Sequence, residues 1–96
     1  METEVKNNIE RQRFEIKLGE EYAFSEYRLH HDRYYFIHTE VPPQFEGQGI
    51  ASKLIKFALD EVVKQGKQIV PWCRFVAAYI QRHQEYQEHV YNDAKS

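Results

Sequence analysis

The sequence has a single cysteine, Cys73, among its 96 residues. One thiol cannot build an internal disulfide framework, and it is most easily kept reduced in a cytosol-like compartment. Long apolar runs are also missing: no stretch approaches the roughly 20 apolar residues of a membrane helix, and residues 1–8 contain no apolar signal core. We therefore expect a cytoplasmic protein that does not cross a membrane.

An excess of charge of either sign is absent as well. Thirteen Lys and Arg residues against 15 Asp and Glu residues give a formal net charge of −2. This balance provides no general attraction to nucleic acid or to anionic membranes, so neither is expected as a partner. His83 and His89 lack the spacing of a helical metal-ligand pair and neither lies near Cys73 in the sequence, so we expect no metal site.

Aromatic residues are plentiful and can supply a core, with seven Tyr, six Phe and one Trp. The length is that of one domain, because a second would lack a core of its own. We expect a single domain over 1–96, a monomer or weak dimer. Its ordered core should run from about residue 9 to 91, with the polar stretches 1–8 and 92–96 as frayed ends.

The first half of the chain has the pattern of an antiparallel three-strand meander. Residues 13–18 alternate polar with apolar, the period of a strand with one buried face, and Gly19-Glu20 follows as a turn. Tyr22 to Leu29 and Tyr34 to Val41 are two further β-favouring runs, separated by a turn at 30–33.

In the second half the pattern changes from strand to helix. Pro42-Pro43 ends the third strand, and an amphipathic stripe of period 3.6 runs from Ile50 until Gly66 ends the helix. A short apolar strand at 67–70 completes a right-handed βαβ unit with two parallel strands. A second helix, sharing one face among Phe75, Val76, Tyr79, Ile80 and His83, and a short helical piece ending near Val90 would follow.

These elements predict a mixed α/β sheet covered by helices in two or three layers. The segment 44–51 lies between a strand and the first turn of a long helix, where backbone N–H groups have no intrahelical partner. Gly47 and Gly49 would let a phosphate approach those donors closely. The alternative is a plain helix start with two turn glycines. The spacing matches neither the dinucleotide fingerprint nor the nucleotide-triphosphate loop.

The same segment resembles the acetyl-CoA motif of the GNAT N-acetyltransferase superfamily. It reads Gln44-x-x-Gly47-x-Gly49-Ile50-Ala51 after a strand that ends in Val41-Pro42. Together with 38–43 and 71–80, it resembles the small, minimal GNAT-like acetyltransferases over about Phe14 to Tyr91. The resemblance implies a GNAT-like mixed sheet, a meander followed by a βαβ unit and a C-terminal helix.

The turn at 18–20 leaves no room for the helix pair that typical GNAT enzymes insert after their first strand, so the acceptor is left open. It is a small molecule or a protein lysine or N-terminus. The resemblance implies acetyl-CoA (CoA) as cofactor, with the pantetheine arm along 39–41 and the pyrophosphate on N–H groups of 45–51. The implied cofactor-binding residues are Thr39, Glu40, Val41, Gln44, Phe45, Glu46, Gly47, Gln48, Gly49, Ile50, Ala51, Cys73, Phe75, Tyr79 and Arg82.

Four residues are candidates for the chemistry. Cys73, at a helix start beside Arg74, is a nucleophile forming an acetyl intermediate, a cofactor contact or inert packing. Tyr79, placed near the CoA sulfur by the resemblance, protonates the departing thiolate or is a core tyrosine. His38 and Glu40 share a strand face, and either could be the general base; the structural alternatives are a half-buried strand residue and a solvated carboxylate.

The function expected from these residues is acetyl-CoA-dependent transfer of an acetyl group to an unidentified amine. A non-catalytic acyl-CoA-binding or sensing module is the main alternative. A Cys-His hydrolase using Cys73 and His38 would need a third, orienting residue that the sequence does not identify. A plain protein-interaction domain would give Gly47 and Gly49 no anion to hold.

Overall fold

The computed structural model describes residues 4–91 and contains five strands and two α-helices. In chain order the elements are β1 Val5–Asn8, β2 Arg13–Leu18, β3 Glu21–His30, β4 Arg33–Glu40, α1 Ile50–Lys64, β5 Gln68–Pro71 and α2 Arg74–Arg82. Short 3-10 helices occupy Pro43–Phe45 and Gln84–His89. The predicted succession of a meander, a βαβ unit and a C-terminal helix is confirmed.

The strands form one sheet in the order β1-β2-β3-β4-β5. Neighbours are antiparallel except β4 and β5, which are parallel, as the βαβ unit predicted. The prediction of a frayed end was wrong for residues 5–8, since Val5 is 6% exposed and pairs with Ile16 of β2. The remaining predicted ends, 1–3 and 92–96, lie outside the described residues.

The core lies between one face of the sheet and the helices. Phe14 of β2 is fully buried and its ring contacts those of Tyr27 and Phe36. The apolar stripe of α1 packs on this face through Leu54, Ile55, Ala58, Leu59 and Val62. Helix α2 contacts α1 and belongs to the same core, so both helices cover one face, because helices on opposite faces would be about 20 Å apart. The domain therefore has two layers.

A β-bulge in β4 exchanges the two faces of that strand. Tyr27 pairs with Phe36 and Glu26 pairs with His38, which leaves Ile37 without a partner on β3. Before the bulge the even-numbered residues of β4 are buried; after it, Thr39 faces the core and His38 is exposed. The bulge thus turns Thr39 towards the helices and His38 to the opposite, open face of the sheet.

Strands β4 and β5 part beyond the pair Phe36 and Pro71. β4 runs on through 37–40, while the chain after β5 turns away into α2, held by a 2.8 Å hydrogen bond from the Cys73 N–H to the Phe36 carbonyl. We call the opening between 37–40 and Trp72-Cys73 the notch. It lies at the carboxyl end of two parallel strands, where ligands bind in α/β sheets.

Candidate functional site

A cleft of about 540 Å³ lies between the end of β4 and the start of α1. Its walls are residues 39–41 and 45–47, the helix start at 49–52, and Phe75 of α2. One end therefore meets the notch and the other meets the amino terminus of a 15-residue helix. The cleft is large enough to hold a substantial part of a small-molecule ligand.

Two glycines shape the backbone at the helix end of the cleft. Gly47 and Gly49 have φ angles of 83° and 76°, left-handed values that residues with a side chain rarely adopt. Gly49 caps α1, and no described side chain bonds to the first turn. The N–H groups of Ile50 to Ser52 therefore point out of the helix without an intrahelical partner, in the positive field of its dipole. This is the chemistry of an anion site.

The rest of the cleft is apolar. Val41 and Phe45 pack against the core, Ile50 is buried, and Phe75 is 52% exposed where it lines the cleft. An anion-binding end followed by an apolar wall suits an amphipathic ligand, with a phosphate joined to a long uncharged chain. The chain would lead from the helix terminus towards the notch.

A buried chain of polar side chains stands at the notch. The Cys73 thiol donates a hydrogen bond to Thr39 Oγ1 over 3.2 Å, and Ser25 Oγ lies 3.1 Å from the same oxygen. Exposure is 0% for Ser25, 5% for Thr39 and 6% for Cys73. Within residues 4–91, Ser25 and Thr39 are the only buried polar side chains. Two hydrogen bonds thus join β3, β4 and the start of α2 beside the cleft.

His38 and Glu40 lie on the open face, as their shared parity predicted. His38 Nε2 and Glu40 Oε1 are 3.1 Å apart, and both side chains are more than half exposed, at 54% and 60%. The His38 ring also packs on Phe24, with centroids 5.9 Å apart. The pair is therefore on the other side of the sheet from Thr39 and Cys73.

Tyr79 lies one turn beyond Phe75 on the inner face of α2 and is 5% exposed. Its ring stacks on His83 at 3.9 Å. Burial raises the pKa of Tyr79 above its ordinary value, although nearby Lys56 acts in the opposite direction. The phenol therefore stays protonated at neutral pH. It is not among the residues that line the cleft.

The cleft includes most, but not all, of the residues that the sequence assigned to the cofactor. The assigned residues outside its lining are Gln44, Gln48, Cys73, Tyr79 and Arg82. The Gln44 amide donates to Glu21 on β3, Gln48 lines a smaller adjoining cavity of about 170 Å³, and Arg82 is exposed at the end of α2.

Ser52 and Ser25 were missed by sequence reasoning. Ser52 lines the cleft, and its place in the first helical turn was a usable signal. Ser25 alternates with Ala23 and Tyr27, which are both buried, so its core-facing position was also readable. Its connection to Cys73 was not, because that depends on the register of three separate elements.

The architecture matches that of a solved GCN5-like protein. The NMR structure of this protein, from Staphylococcus aureus, superimposes with a TM-score of 0.73 over 94% of this chain and 89% of that one, at 24% sequence identity. The two share a fold, in which a mixed sheet opens at the carboxyl ends of its parallel strands.

Sequence comparison gives the family. The profile of the GCN5-related N-acetyltransferases matches residues 13–89, and the chain belongs to that family. Membership supports acetyltransferase activity in general. Protein NATD1 of Gallus gallus is 38% identical over 55 residues, covering 55% of this chain and 50% of that protein. Protein NATD1 of Xenopus tropicalis is 42% identical over 43 residues, covering 45% of this chain and 39% of that protein.

The chain thus spans half or less of the curated relatives it matches. No helix within residues 4–91 has the length and apolar character needed to cross a membrane.

Proposed function

We propose that this protein binds acetyl-CoA in the cleft and transfers its acetyl group to an amine. The observation that carries the proposal is the cleft itself, which joins the uncapped start of α1 to an apolar wall and ends at the notch. These features suit the pyrophosphate and the uncharged arm of CoA in that order.

The chain's residues would divide the binding as follows. The N–H groups of Ile50, Ala51 and Ser52 would hold the pyrophosphate, helped by the close backbone approach that Gly47 and Gly49 permit. Val41 and Phe75 would cover the apolar arm. When bound, the cofactor supplies an activated acetyl group as a thioester.

In the transfer, the amine must first be deprotonated, and His38, supported by Glu40, would accept that proton. The amine nitrogen then forms a bond to the thioester carbonyl carbon, and the carbon–sulfur bond breaks. Backbone N–H groups of β4 in the notch would stabilise the oxyanion. Tyr79 would donate a proton to the departing thiolate, and it would recover one from the nitrogen as the amide forms.

Cys73 has two possible parts in this scheme. A covalent route would transfer the acetyl group to its sulfur before the amine attacks. The direct route is favoured, because the thiol donates its hydrogen to Thr39, is 6% exposed, and has His38 on the opposite face of the sheet. Cys73 then serves as a neutral wall of the acyl site.

A second candidate, an acyl-CoA-binding module without catalysis, is supported by the turn between β2 and β3, which spans only Gly19 and Glu20 and provides no helical wall for an acceptor. The two candidates differ in turnover. Acetyl-CoA binding without release of CoA on any amine of a broad panel would favour the module.

Isothermal titration with acetyl-CoA and CoA tests the shared prediction of binding. Ser52 is exposed in the first turn of α1, so Ser52→Glu places a carboxylate at the anion site while agreeing with the helix dipole. Ser52→Gln is the matched neutral control. We expect saturable binding to the wild type and to Ser52→Gln, and at least a tenfold weaker affinity for Ser52→Glu. Equal affinities in the two variants would contradict the assignment.

A further inference from the structure

The helix side of the notch has no room for a second reactant. Ser25, Thr39 and Cys73 are at most 6% exposed beneath the helices. The neighbouring space is the cleft, which the proposed cofactor would occupy. An acceptor that meets the acetyl group must therefore approach from another direction.

The strand pairing restricts that direction to the open face. On one edge, β4 remains paired with β3 as far as Phe24 and Glu40. On the other edge its pairing with β5 stops at Phe36 and Pro71. Within residues 4–91, an approach through the sheet is thus offered by the notch alone, from the side opposite α1.

An aromatic corner stands beside the notch on this face. Trp72, which directly precedes Cys73, is 69% exposed, the highest exposure of any aromatic side chain in the described chain. Its ring meets that of Tyr35 edge-on, with centroids 5.1 Å apart and planes at 64°. Tyr35 pairs with the exposed Arg28, opposite in parity to the buried Tyr34, so both rings lie on the open face. Such rings attract cations and cover aliphatic stems.

The charge near this corner complements an ammonium group. Glu40 places a carboxylate, 60% exposed, on the same face, with His38 3.1 Å from it as the proton acceptor proposed above. An aliphatic stem lying on Trp72 with its ammonium directed towards His38 and Glu40 satisfies both features. A lysine side chain has this combination of stem and charge.

The flatness of the surface selects between a free amine and a polymer. Small ligands bind in concave sites that bury about 70–90% of their surface. The open face presents strand side chains, and both described helices lie on the other side. An extended segment can bind such a face along many residues.

We propose that the acceptor is a lysine side chain in an extended polypeptide segment, which docks on the open sheet face with the lysine stem against Trp72 and Tyr35. This rests on the proposed acetyl transfer. Trp72 and Tyr35 are then specificity-determining residues for the acceptor and do not contribute to cofactor binding.

The test uses intrinsic fluorescence, because Trp72 is the only tryptophan in the sequence. The probes are a blocked heptapeptide with one central lysine, the same peptide with norleucine in its place, and Nα-acetyl-lysine amide. Each is titrated into the CoA-saturated protein, after CoA binding has been measured by calorimetry. We expect a saturable emission change with the lysine peptide and little change with the norleucine peptide.

Steady-state kinetics completes the test. Trp72→Ala should raise KM for the lysine peptide about three- to tenfold, the range of an exposed cation–π contact with lost apolar cover, and leave CoA affinity and kcat unchanged. Ile9→Ala is the matched control, since Ile9 is 75% exposed in the turn between β1 and β2, and its KM should equal that of the wild type.

The failures are distinguishable. An unchanged KM in Trp72→Ala, or equal kcat/KM for the peptide and Nα-acetyl-lysine amide, overturns the acceptor surface and leaves acetyl transfer intact. Absence of CoA binding to the folded wild type overturns the proposed function, and this inference with it.

Discussion

The hydroxyl of Tyr86 donates a 2.5 Å hydrogen bond to Oδ1 of Asp60, tying the C-terminal 3-10 helix to α1. Lys56 binds the other carboxylate oxygen at 2.8 Å. Burial raises the pKa of Tyr86, and the bond to Asp60 raises it further. Burial alone would raise the pKa of Asp60, but the hydrogen bonds from Lys56 and Tyr86 outweigh it and lower that pKa.

Tyr86→Phe should lower the free energy of unfolding at pH 7 by about 1 kcal/mol, a modest value for a bond to a charged group because Asp60 is half exposed. A depressed carboxyl pKa contributes stability above the unfolded-state value of about 3.9 and loses it as pH falls through the folded value. The gap between wild type and variant should therefore shrink in acid. Urea unfolding at pH 7 and near pH 3 measures it; a constant gap would contradict the assignment.

Thr39→Val should destabilise the fold by about 1–3 kcal/mol, because it leaves the buried hydroxyl of Ser25 and the thiol of Cys73 without their shared partner. The shapes of Thr and Val are alike, so little packing is lost. Guanidinium unfolding of Thr39→Val, Ser25→Ala and the double variant gives the coupling. The double variant should cost less than the two single costs together; strict additivity would show that the hydroxyls act independently.

Cys73 should remain unmodified during turnover. Mass spectrometry of the protein incubated with acetyl-CoA should show no adduct of about 42 Da at this residue, the mass of an acetyl group on a nucleophile. Cys73→Ser, which keeps a hydrogen-bond donor to Thr39, should retain kcat within a few-fold. An acetylated Cys73 that loses its label when an amine is added would establish the covalent route instead.

His38→Asn should lower kcat about a hundredfold, the usual contribution of a general base, without weakening CoA binding. Glu40→Gln should have a smaller effect, because it changes only the partner 3.1 Å from the imidazole. Added imidazole should restore part of the lost rate in His38→Asn. A variant with wild-type kcat would assign proton removal to solvent.

Local patterns in the sequence predicted the helices and most strands well. The amphipathic stripe and its flanking glycines predicted α1 because a helix of this length is decided by its own periodicity and end residues. β1 escaped prediction because residues 5–8 contain one apolar residue, Val5, and the strand depends on pairing with β2.

The candidate site was predicted less completely, for reasons of register. The loop from Phe45 to Ala51 could be recognised from contiguous residues. The opposed faces of His38 and Thr39 follow from the bulge at Ile37, and a bulge is set by the partner strand. The side chain of Gln44, engaged with Glu21, likewise depends on a contact distant in sequence.

Because the spatial order of the strands equals their order along the chain, the first four can pair as soon as they leave the ribosome. Their apolar face, centred on Phe14, has no cover until Ile50–Lys64 has been synthesised. The nascent meander is then a sticky surface, and the arrival of α1 ends its exposure to aggregation and chaperones. The helix whose amino terminus forms the cleft is thus also the segment that makes the newly made chain soluble.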